Sequence, residues 1–362
     1  MNGTHTHTSL VTMEGAYTHP GGDVMTAVEC ETWVVDHAVQ TGIEAWQSRQ
    51  PGQIGRAFGH AVVGHNRYAT YAGGQAQMYG ATDRADFIGI SGYEDHSLDM
   101  LFTWQAEGHL SGVALAIPCP AQVDEGLSVF SADFWHEIRL DLRQRLGQDL
   151  QVLSLCAAAG DQSPHFLLYQ QQEAEMRDRY GLSERQEIAQ RVGMAVERAL
   201  QSTQPATEPV SFRHRKMRVE LSPVSIERQQ RDWARSELER CRHNTDPDSW
   251  WPRRLQSVID CFDGVEPLSP VPAELHFIRL GDAIIATNPF ELFIDYSHRI
   301  KARSQAAQTI VVQLAGHGSY LPTERALKAG GYGANPVVCP VGYQGGGELV
   351  ETTLDAIAEL FN

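Results

Sequence analysis

Six short stretches of this chain carry residue types able to do chemistry. The segment Thr4-His5-Thr6-His7-Thr8 alternates two histidines with threonines. On a strand, residues two apart face the same side, so both imidazoles would meet one site. Neutral imidazole ligates metals and also moves protons near neutral pH. The alternative is a polar terminus with no role. In "AAAGDQSPH" small residues let backbones approach, Gly160 tolerates an unusual φ, and Asp161 and Ser163 sit on a turn closed by Pro164. Such a serine is either a site hydroxyl or a local turn-former. "NPFELF" sets Glu291 at a loop-to-helix junction, as a metal ligand, a base or a partner of the helix N-terminus. "GHGSYLPT" offers His317 and Tyr320, and "GHNRYATY" offers Asn66 and Arg67 after the predicted strand "HAVV". That arginine can grip a carboxylate with two parallel bonds or form a surface ion pair. Cys119 lies between Pro118 and Pro120, where a thiol can bind metal, attack as a nucleophile or stay inert.

The elements that must position these residues alternate between strand and helix. Val34, Ala38, Gly42 and Trp46 recur at helical spacing in "ECETWVVDHAVQTGIEAWQSRQPGQ", which stops at Pro51-Gly52. "LDMLFTWQAEGHLSGVALAIP" reads as two strands around a polar turn. "SADFWHEIRLDLRQRLG" reads as a helix with Ser131 as N-cap and Gly147 closing it, and "LQVLSLC" as the next strand. A helix follows over Leu182 to Gln201, then the loop "QSTQPATEP" and the strand "VSFRHRKMRVELSPV". "SIERQQRDWARSELERCRH" and "SWWPRRLQSVIDCF" read as a helical pair inserted at about 224–262. The strands "ELHFIRL" and "DAIIATN", the helix "ELFIDYSHRIKARS", the strand "QTIVVQLAG" and the helix "GGELVETTLDAIAELF" complete the chain. The pattern predicts an α/β protein, a mixed sheet covered by helices with a helical insertion. No internal repeat is visible. Four apolar strands run straight into special loops: "VALAI" into "PCPAQ", "LQVLSL" into "CAAAGDQSPH", "DAIIAT" into "NPFEL" and "TIVVQLAG" into "HGSYLPT". Sites in open α/β sheets form beyond the carboxyl ends of strands, so these loops are expected to converge.

Composition removes several function classes. The net charge is −16 and no dense Lys/Arg block stands out, which argues against binding nucleic acid or an anionic membrane by charge. No apolar run is long enough for a transmembrane helix. The six cysteines form no C-x-x-C pair and read as mostly free, buried thiols.

Taken in order, these stretches resemble the catalytic domain of the neutral/alkaline non-lysosomal ceramidase family. Its T-H-T-H-S element is similar to Thr4–Thr8, its N-R loop to Asn66-Arg67, and its G-D-x-S-P element to Gly160-Asp161-Gln162-Ser163-Pro164. Its P-G-E-F loop is similar to Pro289-Phe290-Glu291-Leu292, and its Y-x-T-T loop to Tyr320-Leu321-Pro322-Thr323. The resemblance runs along nearly the whole chain. It implies a zinc-dependent amidase with a small-molecule or lipid amide substrate. It implies zinc held by His5, Glu291 and Tyr320. The family's second histidine ligand, in A-I-H-P, is missing from "AIPCP", and Cys119 is expected to replace it as a thiolate of lower Lewis acidity. His7 is expected to orient water or shuttle a proton, Ser163 to act as nucleophile or oxyanion donor, and Arg67 to hold a polar part of the substrate. Asp161 belongs to the same expected catalytic set. A single domain over 1–362 is expected, without the β-sandwich domain that follows in the ceramidases, and with a start that lacks the segment preceding T-H-T-H. No signal peptide is visible, though the family is often secreted. Two rivals stay open: a metal-free serine or cysteine hydrolase using Ser163 or Cys119, and a non-catalytic binding protein with a structural zinc site.

Overall fold

The computed structural model describes residues 1–244 and 250–362. Two four-stranded sheets share one plan. The first orders Gly52–His60, Ser97–Gln105, Leu110–Ile117 and Gln151–Cys156; the second orders Phe212–Leu221, Val271–Leu280, Ala283–Thr287 and Gln308–Val312. In each, the first two pairings are antiparallel and the last is parallel, reached through a helix, Phe134–Leu146 in one and Ile294–Arg303 in the other. The duplication is one of topology, which explains why no repeat is legible as letters.

Strand alternation builds the layers. Leu98, Met100, Phe102, Val113, Leu115 and Ile117 face the helices Phe134–Leu146 and Glu184–Gln201, whose Phe134, Ile138, Leu142, Ile188, Val192 and Val196 complete one core. On the second sheet Leu275, Phe277, Ile284 and Val311 pack on Tyr296 and Ile300 and on the C-terminal helix Tyr343–Phe361 through Leu349, Val350 and Ile357. The opposite faces meet each other through Leu101, Ala116, Leu155, Ala283, Ile310 and Val312. Ala116 and Ala283 keep that inner layer thin. The result is a helix–sheet–sheet–helix sandwich, so the expected mixed α/β class holds, but with two stacked sheets in place of one. The sheets also touch at their edges, where Ala157 bridges Val312.

The predicted helices and strands are found with a few shifts. Thr26 and Glu29 form a capping box at the start of Ala27–Gln47, and Gly52 begins a strand the sequence reading missed. That strand ends at His60, so "HAVV" is mostly loop. The N-cap of Phe134–Leu146 is Asp133, whose carboxylate accepts from the Phe134 N–H, while Ser131 accepts from Asp133 one step earlier. The helix expected from Glu291 begins at Ile294, because Glu291 and Leu292 pair in parallel with Tyr320 and Leu321. The helical pair is present as Arg228–Asn244 and Trp250–Phe262; Ser249, expected to open the second helix, lies outside the described residues. No described helix is long and apolar enough to cross a membrane.

Candidate functional site

The four expected loops do converge, at the seam between the sheets. The Gly160 N–H donates to the Leu292 carbonyl at 2.8 Å, and the Glu291 N–H donates to the Ser319 carbonyl at 3.0 Å. One side chain pins two of the loops: Gln313 Oε1 accepts from the Ala159 N–H at 3.0 Å and from the Leu292 N–H at 2.9 Å. Gly160 is needed for contact rather than for an unusual φ. A Cβ there would lie 2.3 Å from the Glu291 carbonyl oxygen.

The N-terminal segment lies across this seam. Gly3 donates to Leu314 O at 2.9 Å, and Ala121 donates to Thr4 O at 3.0 Å, so the segment is tied to both halves. It is not a strand. His5 takes a positive φ of 65°, and the backbone bends at His7 to Ser9. Their rings nevertheless stand 5.1 Å apart, so the pairing expected from strand alternation arises from a turn.

His5 Nε2 lies 3.6 Å from Glu291 Oε2, and those side chains are 19% and 16% exposed. Burial, with His7 and Arg67 close by, pushes the His5 imidazole down to about 3, so it is neutral at physiological pH. Burial raises the Glu291 carboxyl above its ordinary value, against a hydrogen bond from Tyr320 and the Arg67 charge. Arg67, 2% exposed, donates through Nη2 to Tyr320 Oη at 3.1 Å and to Gly160 O at 2.9 Å. It is therefore a buried pin rather than a surface ion pair. Tyr320 meets Tyr332 edge-on at 5.8 Å, and Tyr332 stacks on Trp251, linking the inserted helices to the site.

Asp161 and Ser163 are buried nearby. Asp161 accepts from the Ile294 N–H at 3.0 Å and from Asn66 Nδ2 at 3.1 Å, and burial pushes its carboxyl up to about 6. Ser163 pairs in register with His65, and its Oγ accepts from Tyr79 Oη at 3.0 Å and from the His165 N–H at 3.1 Å. Tyr79 and His165 line an open cleft of 480 Å³ with Asp83, Glu125, Phe166 and Leu167. His7 reaches this cleft through Glu125, with 3.3 Å from Nδ1 to Oε2, and Gln122 Nε2 stands 2.7 Å from its other nitrogen.

Cys119 is not brought to this cluster. Its thiol is 1% exposed in the core against the helices, donates to Pro120 O at 3.4 Å, and is pushed well above the usual thiol range by burial. Among the described residues no three His, Cys, Asp or Glu side chains gather as a metal group, so Cys119 does not complete His5 and Glu291. His317 is exposed on its loop. The donor set at the seam is instead a neutral imidazole, a carboxylate and the Tyr320 phenol. The 3.6 Å separation of His5 and Glu291 is close to the edge, about 3.4 Å, of a tetrahedron with zinc–ligand bonds of about 2.0–2.1 Å. Imidazole, carboxylate and phenol are donor types that a metal with an open position would use, should one bind here. The sequence reading missed Gln313, Tyr79, Glu125 and His165. Of these His165 stood inside a quoted motif, two residues past Ser163, and Gln313 inside the quoted strand "QTIVVQLAG".

No protein-family model matches the chain, and no curated protein matches it by sequence. Solved structures do. A neutral ceramidase from Pseudomonas aeruginosa superposes with a TM-score of 0.59 at 15% identity, covering 92% of this chain and 56% of that one. A structure described as ceramidase complexed with C2 gives a TM-score of 0.60 at 13% identity, covering 92% and 57%. The chain thus has the fold of these ceramidases and spans a little over half their length.

Proposed function

We propose that this protein is a zinc-dependent hydrolase of N-acyl amides, with a lipid amide as the substrate class. The observation that carries the reading is the meeting of His5, Glu291, Tyr320 and Arg67 at one seam, in a fold shared with neutral ceramidase structures. His5, Glu291 and Tyr320 would hold the ion. Bound zinc supplies a water of lowered pKa and polarises a carbonyl.

The chain's own groups do the rest. Ser163 Oγ already accepts two hydrogen bonds, so both lone pairs are engaged and its proton is free to be given. That favours donation to the developing oxyanion over nucleophilic attack. The Arg67 guanidinium is fixed by Gly160 O and Tyr320, and would lend its charge to a polar part of the substrate bound beside Tyr320. His7, with Glu125 and Gln122 on its two nitrogens, is a held ring that braces His5.

The test is hydrolysis of a short-chain ceramide and a panel of N-acyl amides, with and without a chelator. The reading expects turnover that the chelator abolishes and zinc restores, with Ser163→Ala about 10²–10³-fold slower. Full turnover in metal-free protein would favour the metal-free hydrolase. Bound zinc without turnover on any amide would favour the binding protein.

A further inference from the structure

We propose that His165, oriented by Glu125, is the proton donor to the leaving amine. The proposal rests on the amide-hydrolase reading above and adds a residue to it. Amide cleavage differs from ester cleavage in one demand. The nitrogen leaves as a poor anion unless it is protonated as the carbon–nitrogen bond breaks, so an amidase needs an acid beside that nitrogen.

Four histidines stand near Ser163 and the seam, and three are committed elsewhere. His5 Nε2 faces Glu291 as part of the donor set. His7 has both ring nitrogens engaged, by Glu125 at 3.3 Å and Gln122 at 2.7 Å. His65, opposite Ser163 in register, faces Glu94 through Nδ1 at 3.4 Å and packs its ring on Phe166. His165 alone of the four lines the cleft. Its backbone N–H is on Ser163 Oγ at 3.1 Å, which fixes its place relative to the proposed oxyanion donor. Its ring is 6.1 Å from the ring of Tyr79, the other residue bound to Ser163. Its Nε2 lies 3.6 Å from Glu125 Oε1, and its Nδ1 lies 3.9 Å from Glu184 Oε1. Glu125 is the nearer of the two carboxylates and lines the cleft with His165, which makes it the orienting one. Glu125 divides its two oxygens between His165 and His7, and so couples the cleft to the N-terminal segment.

The step balances without any further reactant. A water oxygen–carbon bond forms and the carbon–nitrogen bond breaks. The His165 imidazole gives its proton to the leaving nitrogen and takes one from the attacking water. The second water proton departs with the carboxylic acid.

Two substrates with one acyl chain separate this role from a structural one. An N-acyl p-nitroanilide releases a much weaker base than the matching N-acyl alkylamine, one whose nitrogen needs far less help from an acid as the bond breaks. His165→Gln keeps the backbone bond to Ser163 and is expected to lose about 10²–10⁴-fold in kcat on the alkylamide and less than about tenfold on the anilide. Glu125→Gln is expected to show the same selectivity with a smaller loss, about tenfold. Equal losses on both substrates, or none on the alkylamide, would overturn the assignment while leaving the amidase reading intact. A wild-type protein that cuts neither substrate would overturn both.

Discussion

In the first half of the molecule, the strand Leu110–Ile117 hands over to Pro118-Cys119-Pro120. In the second half, the strand at the same sheet position, Ala283–Thr287, hands over to Asn288-Pro289-Phe290-Glu291. The two exits diverge at once. Asn288 locks its turn from both ends, donating to Val312 O at 3.2 Å and accepting from the Phe290 N–H at 3.1 Å, while Phe290 is buried as an anchor. Glu291 is thereby carried to the seam beside Tyr320. The Pro-Cys-Pro exit is held by backbone bonds instead, Cys119 N–H to Ile117 O at 2.8 Å, and its thiol turns into the apolar layer under the helices while Ala121 and Gln122 meet the N-terminal segment. A shared strand plan therefore fixes where loops emerge, and the local turn decides which of their side chains face the seam. The second half supplies carboxylate and phenol; the first supplies Arg67, Asp161 and Ser163; the N-terminal segment adds the imidazoles.

The seam is where this comparison is most easily broken. Gln313→Leu would strand the buried Ala159 and Leu292 N–H groups together, at roughly 1–3 kcal/mol for each. Urea unfolding should show that loss, and a change under about 0.5 kcal/mol would mean the halves hold together without this pin.

Asp161 tests the first half's share. Asp161→Asn sets an amide nitrogen against either Asn66 Nδ2 or the Ile294 N–H, and about 1–2 kcal/mol of stability should go. The pH dependence sharpens the point. An aspartic acid raised to about 6 holds its proton more tightly in the folded chain, so its contribution is complete below the unfolded value of about 3.9 and is lost as pH rises through 6. The stability difference between wild type and Asp161→Asn should therefore shift against the wild type across that window. A difference that is flat, or moves the other way, would show that Asp161 is ionised in the fold.

The smallest effect belongs to the divergent exit. Cys119→Ala removes one buried sulfur from the helix-facing core and should cost about 1 kcal/mol, read from thermal unfolding, with amide turnover unchanged. A large loss of turnover would restore the thiol to the site.

Most of the fold was legible because its signals are local: strand alternation, helical spacing, and glycine or proline at the stops. What escaped reading was long-range. The stacking of two sheets depends on the second face of each strand, where Ala116 and Ala283 are too small to announce a core. The convergence of four loops could be expected from strand exits, and Glu291, Tyr320 and Ser163 lie on such loops, whereas Arg67 does not, because the strand expected before it is mostly loop. Cys119 was chosen because a thiolate can stand in for an imidazole, but ligand chemistry says nothing about which way a loop turns. Gln313 and Glu125 act by bridging segments far apart in sequence, and no motif marks either.

The most direct test of the account is the zinc content of purified Glu291→Gln and Cys119→Ala, measured beside the wild type by elemental analysis after dialysis. The account predicts about one zinc per chain in wild type and in Cys119→Ala, and a loss of most of it in Glu291→Gln. Zinc retained by Glu291→Gln but lost from Cys119→Ala would contradict it.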